Sequence, residues 1–121
     1  MKTDSMFWQT MMELAESGSI VLDRPRGSAH PRYPDMIYPL DYGYLENTSA
    51  ADGGGIDVWI GSLNRKTLTG ILCTFDKLKR DAEIKLLIGC SLADVETILG
   101  FNSDMATLFT PNPMVEHEFS R

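Results

Sequence analysis

The stretch of residues 38–61, YPLDYGYLENTSAADGGGIDVWIG, constrains the fold of this chain more than any other segment. Its three consecutive glycines follow Asp52 and precede Ile56 and Asp57. Such a run fits where the backbone bends freely or approaches another group closely, so the sequence predicts a tight turn. Acids on both sides of a bend can converge on one hard cation. A hairpin turn with two solvated acids is the simpler alternative, and on this stretch alone it is the preferred interpretation.

The composition is typical of one ordinary globular domain. With 121 residues, 43% of them hydrophobic and 23% charged, we expect a single domain over residues 1–121. The formal net charge of −6 argues against general binding to nucleic acid or to anionic membranes, since both need a basic surface. No apolar run reaches transmembrane length, and the N-terminus does not resemble a signal peptide. These observations predict a cytoplasmic protein with no nucleic-acid or membrane partner.

The apolar pattern predicts a helix near each end of the chain. Residues 3–16 carry Phe7, Met11 and Leu14 at helical spacing, and we expect this face to pack on the core or on a second subunit of a homo-oligomer. Residues 92–99 form the second predicted helix, because Ser91 and Asp94 resemble a capping box.

Short β-type runs lie between the two helices. We expect up to five strands in residues 19–23, 38–47, 56–62, 67–75 and 82–90, with a bulge or bend at Gly70. Because short turns rather than helices join these runs, the sequence favours an antiparallel sheet. With so few strands, we expect a mainly β fold, a small antiparallel β-barrel that is closed or partly closed.

Four acids flank two predicted turns of this barrel: Asp52, Asp57, Asp76 and Asp81. If both turns lie at the same end of the barrel, the four acids could come together there. Unpaired carboxylates at one place would repel each other, and a divalent cation would relieve that repulsion. Oxygen ligands of this kind suit Mg²⁺, with Mn²⁺ as the alternative ion.

A basic loop precedes these strands. Between Asp23 and Asp35 there is no other acid but four basic residues, Arg24, Arg26, His30 and Arg32. Arginine offers a planar fork that matches phosphate, so one interpretation is recognition of an anion. The other is charge balance against the two flanking acids, and the sequence favours neither.

Two motifs carry a resemblance to a known family. YPLDYGY at residues 38–44 and DGGGIDV at residues 52–58 resemble the Tyr-Pro-x-Asn-Tyr-Gly-aromatic and Asp-x-Asp-Pro-x-Asp motifs of the soluble family I inorganic pyrophosphatases. DRPRG at residues 23–27 and the acids in residues 70–81 extend the resemblance over roughly residues 20–90. The chain resembles a short, divergent member. This implies a barrel of the oligonucleotide-binding type with flanking helices, and Mg²⁺-dependent hydrolysis of inorganic diphosphate to phosphate.

The resemblance also implies roles for individual residues. It assigns the metal ligands to Asp52, Asp57, Asp76 and Asp81. It assigns phosphate contacts to Tyr42 and Arg32, and we expect Arg26 to lie beside them in a cleft that faces the acids.

The departures from the family pattern leave two functional hypotheses. Gly54 stands where the family has the aspartate that activates water, and Glu83 stands where it has a phosphate-binding lysine. The first hypothesis is a slow diphosphatase that uses Asp57, with another acid such as Asp41 or Asp23 taking the proton. The second is a catalytically silent relative that binds metal or a phosphorylated ligand. Loss of a general base costs about 10²–10⁴ in rate, which is not abolition, so we prefer the first.

Overall fold

The computed structural model describes residues 2–115, which form two helices and six strands. In chain order these are α1 (Lys2–Ser17), β1 (Ile20–Arg24), β2 (Asp41–Leu45), β3 (Asp57–Ile60), β4 (Leu68–Asp76), β5 (Asp81–Ile88), α2 (Leu92–Phe101) and β6 (Ala106–Pro111). Both helices and β1 to β5 lie at their predicted places. The sequence analysis did not predict β6. Neither helix of the described residues is long and apolar enough to cross a membrane.

The strands form one sheet in the order β1-β2-β3-β5-β4-β6. β3 and β5 run parallel, with Val58 opposite Leu86, while the other neighbouring strands are antiparallel. The prediction of an antiparallel barrel is therefore wrong for the β3–β5 pair. The physical reason lies in residues 61–67, which connect β3 to β4. They place β4 one strand position away from β3, and β5 occupies the position between them.

The sheet is open. Within residues 2–115, β1 and β6 are its two edges and do not pair with each other, so a closed barrel of the oligonucleotide-binding type is not confirmed. The mainly β character with two helices is confirmed. The bend predicted at Gly70 is also present, since the register of β4 against β5 shifts between Leu68 and Gly70. A Cβ atom on Gly70 would lie 2.8 Å from the Thr110 carbonyl oxygen of β6, so glycine permits this close approach.

Alternation along the central strands divides the core between the two faces of the sheet. The α1 face carries Val58, Leu68, Ile71, Leu86 and Ile88, which cluster with Trp8 and Ala15 of α1. The α2 face carries Trp59, Leu72 and Leu87, which cluster with Tyr38, Leu40, Cys90 and with Val95 and Ile98 of α2. Each central strand therefore contributes to both halves of the core.

The buried face of α1 differs from the predicted one. Trp8 and Ala15 are 5% and 0% exposed, whereas Phe7, which was expected to pack on the core or on a second subunit, is 36% exposed and forms a T-shaped contact with Trp8. Met11 and Leu14 pack partly against the cluster. The buried face of α1 is therefore shifted by about one residue from the predicted face, and the larger indole of Trp8 lies in the core.

The N-terminus of α2 confirms the predicted capping box. The Ser91 hydroxyl accepts from the Asp94 backbone N–H, and the Asp94 carboxylate accepts from the Ser91 backbone N–H. The same carboxylate accepts from the backbone N–H and the hydroxyl of Ser62, at 2.8 and 2.9 Å. Asp94 thereby ties α2 to the loop that follows β3.

Candidate functional site: a basic and aromatic cleft

A cleft of about 1040 Å³ lies beside the α2 face of the sheet. Its basic lining residues are Arg24, His30, Arg32, Lys77, Lys79 and Lys85. Its aromatic lining residues are Tyr33, Tyr38, Tyr42, Trp59 and Phe101. The acids among its lining residues are Asp76 and Asp104. The cleft therefore concentrates positive charge in a chain whose formal net charge is −6.

Lys85 lies where β5 passes the start of β3, and its side chain is 11% exposed. Its Nζ donates to the Tyr42 hydroxyl at 2.8 Å and forms ion pairs with Asp57 at 3.1 Å and Glu83 at 3.0 Å. Burial lowers the pKa of Lys85, but Tyr42 and the two carboxylates outweigh burial, so the pKa is raised overall. Lys85 therefore carries its positive charge at neutral pH.

Tyr42 is a neutral hydrogen-bonding group in this cleft. Burial raises the pKa of the Tyr42 hydroxyl, and the stabilisation of its phenolate by Lys85 does not compensate. The hydroxyl accepts from Lys85 at 2.8 Å, and its hydrogen bond with Asp57 adds to the rise in pKa. Its ring packs edge-on against Trp59, with the ring centroids 4.7 Å apart.

Successive ring contacts lead from Tyr42 to the rim of the cleft. The centroid of Tyr38 lies 5.5 Å from that of Tyr42 and 6.2 Å from that of His30, with the His30 and Tyr38 planes nearly parallel. His30 in turn lies 5.2 Å from Tyr33. The His30 Nδ1 accepts from the backbone N–H groups of Arg32 and Tyr33, at 3.0 and 3.3 Å, so His30 holds this loop against the aromatic core.

The acids predicted to bind metal do not form one cluster: Asp52, Asp57, Asp76 and Asp81. Asp76 and Asp81 are paired across β4 and β5, whereas Asp57 pairs with Lys85 farther along β5. Within residues 2–115, no group of three or more His, Cys, Asp or Glu side chains is arranged to hold a metal ion. The register of the sheet gives one reason. Val58 pairs with Leu86, so β5 starts at Asp81 well before it reaches the level of Asp57. At about 3.3 Å per residue, this offset is roughly 13 Å along the sheet.

Local contacts engage three of these acids. The Asp52 carboxylate accepts from the Gly54 backbone N–H at 3.0 Å, and Asp76 accepts from two backbone N–H groups of the β4–β5 turn. Asp57 is paired with the Lys85 ammonium. As arranged, these residues do not fit a magnesium site, and their assignment as metal ligands stays a prediction.

The residues predicted to bind substrate divide between two depressions. Arg32 and Tyr42 line the cleft, whereas Arg26 lines a separate depression of about 500 Å³ beside α2. The Arg26 backbone N–H donates to the Asp41 carboxylate at 2.8 Å. Asp41, the predicted proton acceptor, is thus occupied in holding the loop after β1, and its catalytic role also stays a prediction.

Sequence reasoning missed the lysines of the cleft. Lys85 lies in the predicted strand of residues 82–90 and was given no role, although it stands between apolar residues of that strand. Lys85 alternates with Ile84 and Leu86 and shares its face with the buried Leu87, which is an unusual place for a lysine. That position is the signal that could have identified it. Lys77 and Lys79 lie on a turn, and their place beside the cleft depends on tertiary structure.

Comparisons with known proteins identify relatives for part of the chain. The inorganic pyrophosphatase of Yersinia pestis is 34% identical over 77 residues, which cover 57% of this chain and 41% of that protein. The inorganic pyrophosphatase of Escherichia coli is 32% identical over 77 residues, covering 57% and 40%. The chain therefore spans about two fifths of the length of the curated relatives it matches. No protein-family model matches it.

Solved structures give a weaker likeness. An inorganic phosphatase from Anaplasma phagocytophilum has a TM-score of 0.48 and 18% identity, covering 76% of this chain and 81% of that chain. An inorganic pyrophosphatase from Coxiella burnetii has a TM-score of 0.46 and 15% identity, covering 76% and 82%.

Proposed function

We propose that the cleft binds inorganic diphosphate and that the protein hydrolyses it slowly to phosphate. The observation that carries this proposal is the concentration of basic side chains around one cleft of an acidic chain. The 34% identity to the Yersinia pestis inorganic pyrophosphatase over 77 residues supports diphosphate as the substrate. We include in the proposal a single pyrophosphatase-like domain, a cytoplasmic location and the short, divergent character of the chain.

Two segments of the cleft supply the cations for the anion. Arg24 and Arg32 come from β1 and the loop that follows it, and Lys77 and Lys79 come from the β4–β5 turn. A guanidinium group matches two phosphate oxygens at once, and a lysine adds a compact charge. All three N–H donors of Lys85 already have partners, so Lys85 acts on the anion mainly by neutralising the acids at its side.

Dependence on Mg²⁺, with Mn²⁺ as the alternative ion, belongs to the same proposal. It rests on the resemblance of Asp52, Asp57, Asp76 and Asp81 to family ligands, because the acids are not gathered in this structure.

The direct experiment measures phosphate release from inorganic diphosphate, with and without Mg²⁺. We expect slow release that Arg32→Ala reduces. Arg65→Ala is the matched control, since Arg65 is an exposed arginine that does not line the cleft. Equal rates in the two variants would remove Arg32 from the substrate site, and no release from the parent protein under any condition would overturn the hydrolase.

The slow rate is ascribed to Gly54, where the resemblance expects an aspartate. Gly54→Asp meets little steric resistance, because a Cβ atom there contacts Asp52 Oδ1 at 3.5 Å and the backbone is not in the left-handed region. We expect roughly a tenfold gain in phosphate release with Mg²⁺, below the full range for a general base. A folded Gly54→Asp protein with no gain would show that this turn does not limit the reaction.

A silent binding protein is the second candidate. It is favoured by the ion pair between Lys85 and Asp57, which engages an acid that the reaction would need free. Calorimetry that detects diphosphate binding, together with no phosphate release, would select this candidate over the enzyme.

We also propose that the chain forms a homo-oligomer. Phe75, Ile84 and Leu108 are 41%, 46% and 63% exposed and lie on neighbouring strands of the sheet. Such an exposed apolar group favours contact with a second copy of the chain. Light scattering at micromolar concentration tests the assembly, and a monomer there would contradict it.

A further inference from the structure

We propose that the cleft also takes a nucleotide, with its phosphate groups among the basic residues and its base against Tyr33. This inference rests on the proposed function of the cleft as a phosphate site, and it names the class of compound that carries the phosphate.

The size and lining of the cleft carry the first step. Its volume of about 1040 Å³ lies at the upper end of the range for sites that enclose drug-sized ligands, roughly 300–1,000 Å³. Inorganic diphosphate is much smaller, and its surface is almost entirely charged oxygen. It would leave several apolar lining residues in contact with water alone: Tyr33, Met36, Phe101 and Met105. A ligand with a ring beside its phosphates would contact both kinds of wall.

Tyr33 provides a ring that is exposed and held in place. It is 53% exposed, whereas Tyr38 farther inside the cleft is 6% exposed. Its backbone N–H donates to His30, and the His30 ring packs against both tyrosines. An exposed aromatic ring on an ordered loop is a suitable platform for stacking a base.

The order of the aromatic rings along the cleft places the base and the phosphates of the ligand apart from each other. Between Tyr42, which contacts Lys85, and Tyr33 lie the rings of Tyr38 and His30. This separation leaves room for a sugar between base and phosphates.

The test compares three ligands by calorimetry on the full chain: inorganic diphosphate, methyl diphosphate and adenosine diphosphate. Methyl diphosphate shares the charged group of the nucleotide but has no ring, so it isolates the contribution of the base. We expect adenosine diphosphate to bind about tenfold more tightly than methyl diphosphate. Tyr33→Leu is expected to remove most of this preference. Phe75→Leu, an exposed ring outside the cleft, is the matched control and should keep it.

The outcomes separate this inference from the proposed function. Equal binding of methyl diphosphate and adenosine diphosphate would overturn the base site, while binding of inorganic diphosphate would still support the phosphate site. Absence of binding by all three would overturn both. A preference that survives Tyr33→Leu would overturn the assignment of the base to Tyr33. Because Tyr33 is an exposed loop residue, we expect this variant to fold, and a thermal melt checks it.

Discussion

The two faces of the sheet share the same strands but differ in what covers them. α1 has 16 residues and α2 has 10, so the helices are about 24 and 15 Å long. Under α1, Val58 and Leu86 are fully buried. The shorter α2 buries Trp59 and Leu87, but the neighbouring rings of Tyr42 and Phe101 stay partly exposed beside the cleft.

The uncovered parts of the two faces also differ in chemistry. Beyond α1, the exposed sheet residues Phe75, Ile84 and Leu108 are apolar. Beyond α2, the exposed surface combines rings with basic side chains such as Lys79 and Arg32. An apolar area suits another protein surface, whereas a basic and aromatic cleft suits a small anion. The two faces therefore differ in the surface they leave uncovered, which is apolar beyond α1 and both basic and aromatic beyond α2.

The largest expected effect comes from the adjacent leucines Leu86 and Leu87, which are both 0% exposed but point to opposite faces. Leu86→Ala and Leu87→Ala should each lower the free energy of unfolding by about 2–5 kcal/mol, because each leaves a cavity in a packed cluster. Only Leu87→Ala should also weaken diphosphate binding, since its cluster contains Tyr38 and Trp59 of the cleft wall. Urea unfolding and calorimetry below the unfolding transition measure the two effects. Equal loss of affinity in both variants would contradict the division between the faces.

A smaller effect is expected from Lys85, whose ammonium balances Asp57 and Glu83. Lys85→Met leaves both carboxylates near the bound anion without a counter-charge. We expect diphosphate affinity to fall by about 1–4 kcal/mol, the range of the interaction between two unit charges about 4 Å apart in water and near a protein surface. Calorimetry measures the loss, and Lys66→Met is the control, because Lys66 donates to the Gly18 carbonyl outside the cleft. Unchanged affinity in Lys85→Met would limit Lys85 to a structural role.

Local sequence signals predicted the elements of this fold but not their pairing. The Ser91–Asp94 capping box and the bend at Gly70 depend on neighbouring residues, and both are present in the structure. The parallel pairing of β3 and β5 depends on which strand fills the gap, and no local run specifies that. β6 was missed because it is an edge strand whose exposure does not alternate between its two faces.

The candidate site was predictable only in part for the same reason. Arg32 and Tyr42 stood out by residue type and motif, and the structure places both at the cleft. Lys85 could not be placed there without the sheet register that sets it beside Asp57 and Tyr42. The two turns predicted between Asp52 and Asp57 and between Asp76 and Asp81 are present, but the sequence could not show the offset between the strands β3 and β5 that follow them.

The smallest expected effect concerns Asp94, which supports the covering helix of the α2 face rather than the cleft. Burial raises the pKa of the Asp94 carboxyl, but hydrogen bonds from Ser62 and Ser91 outweigh burial and lower it overall. The charged form is therefore stabilised by folding. The stability that charged Asp94 adds to the folded state is fully present at pH values above the ordinary aspartate pKa of about 3.9. It is lost as the pH falls through the lower pKa that Asp94 has in the folded state.

Asp94→Asn removes this charge and part of its hydrogen bonding. At neutral pH we expect the free energy of unfolding to fall by about 1 kcal/mol, the typical net contribution of a hydrogen bond. The difference from the parent should shrink at acid pH, where Asp94 is protonated in both states. Urea unfolding at several pH values measures this, and Glu96→Gln is the control, because Glu96 is an exposed acid on the same helix. Diphosphate affinity should not change, since Asp94 lines the other depression. A stability difference that is constant with pH would mean that the shape of the side chain, and not its charge, holds α2 to the loop after β3.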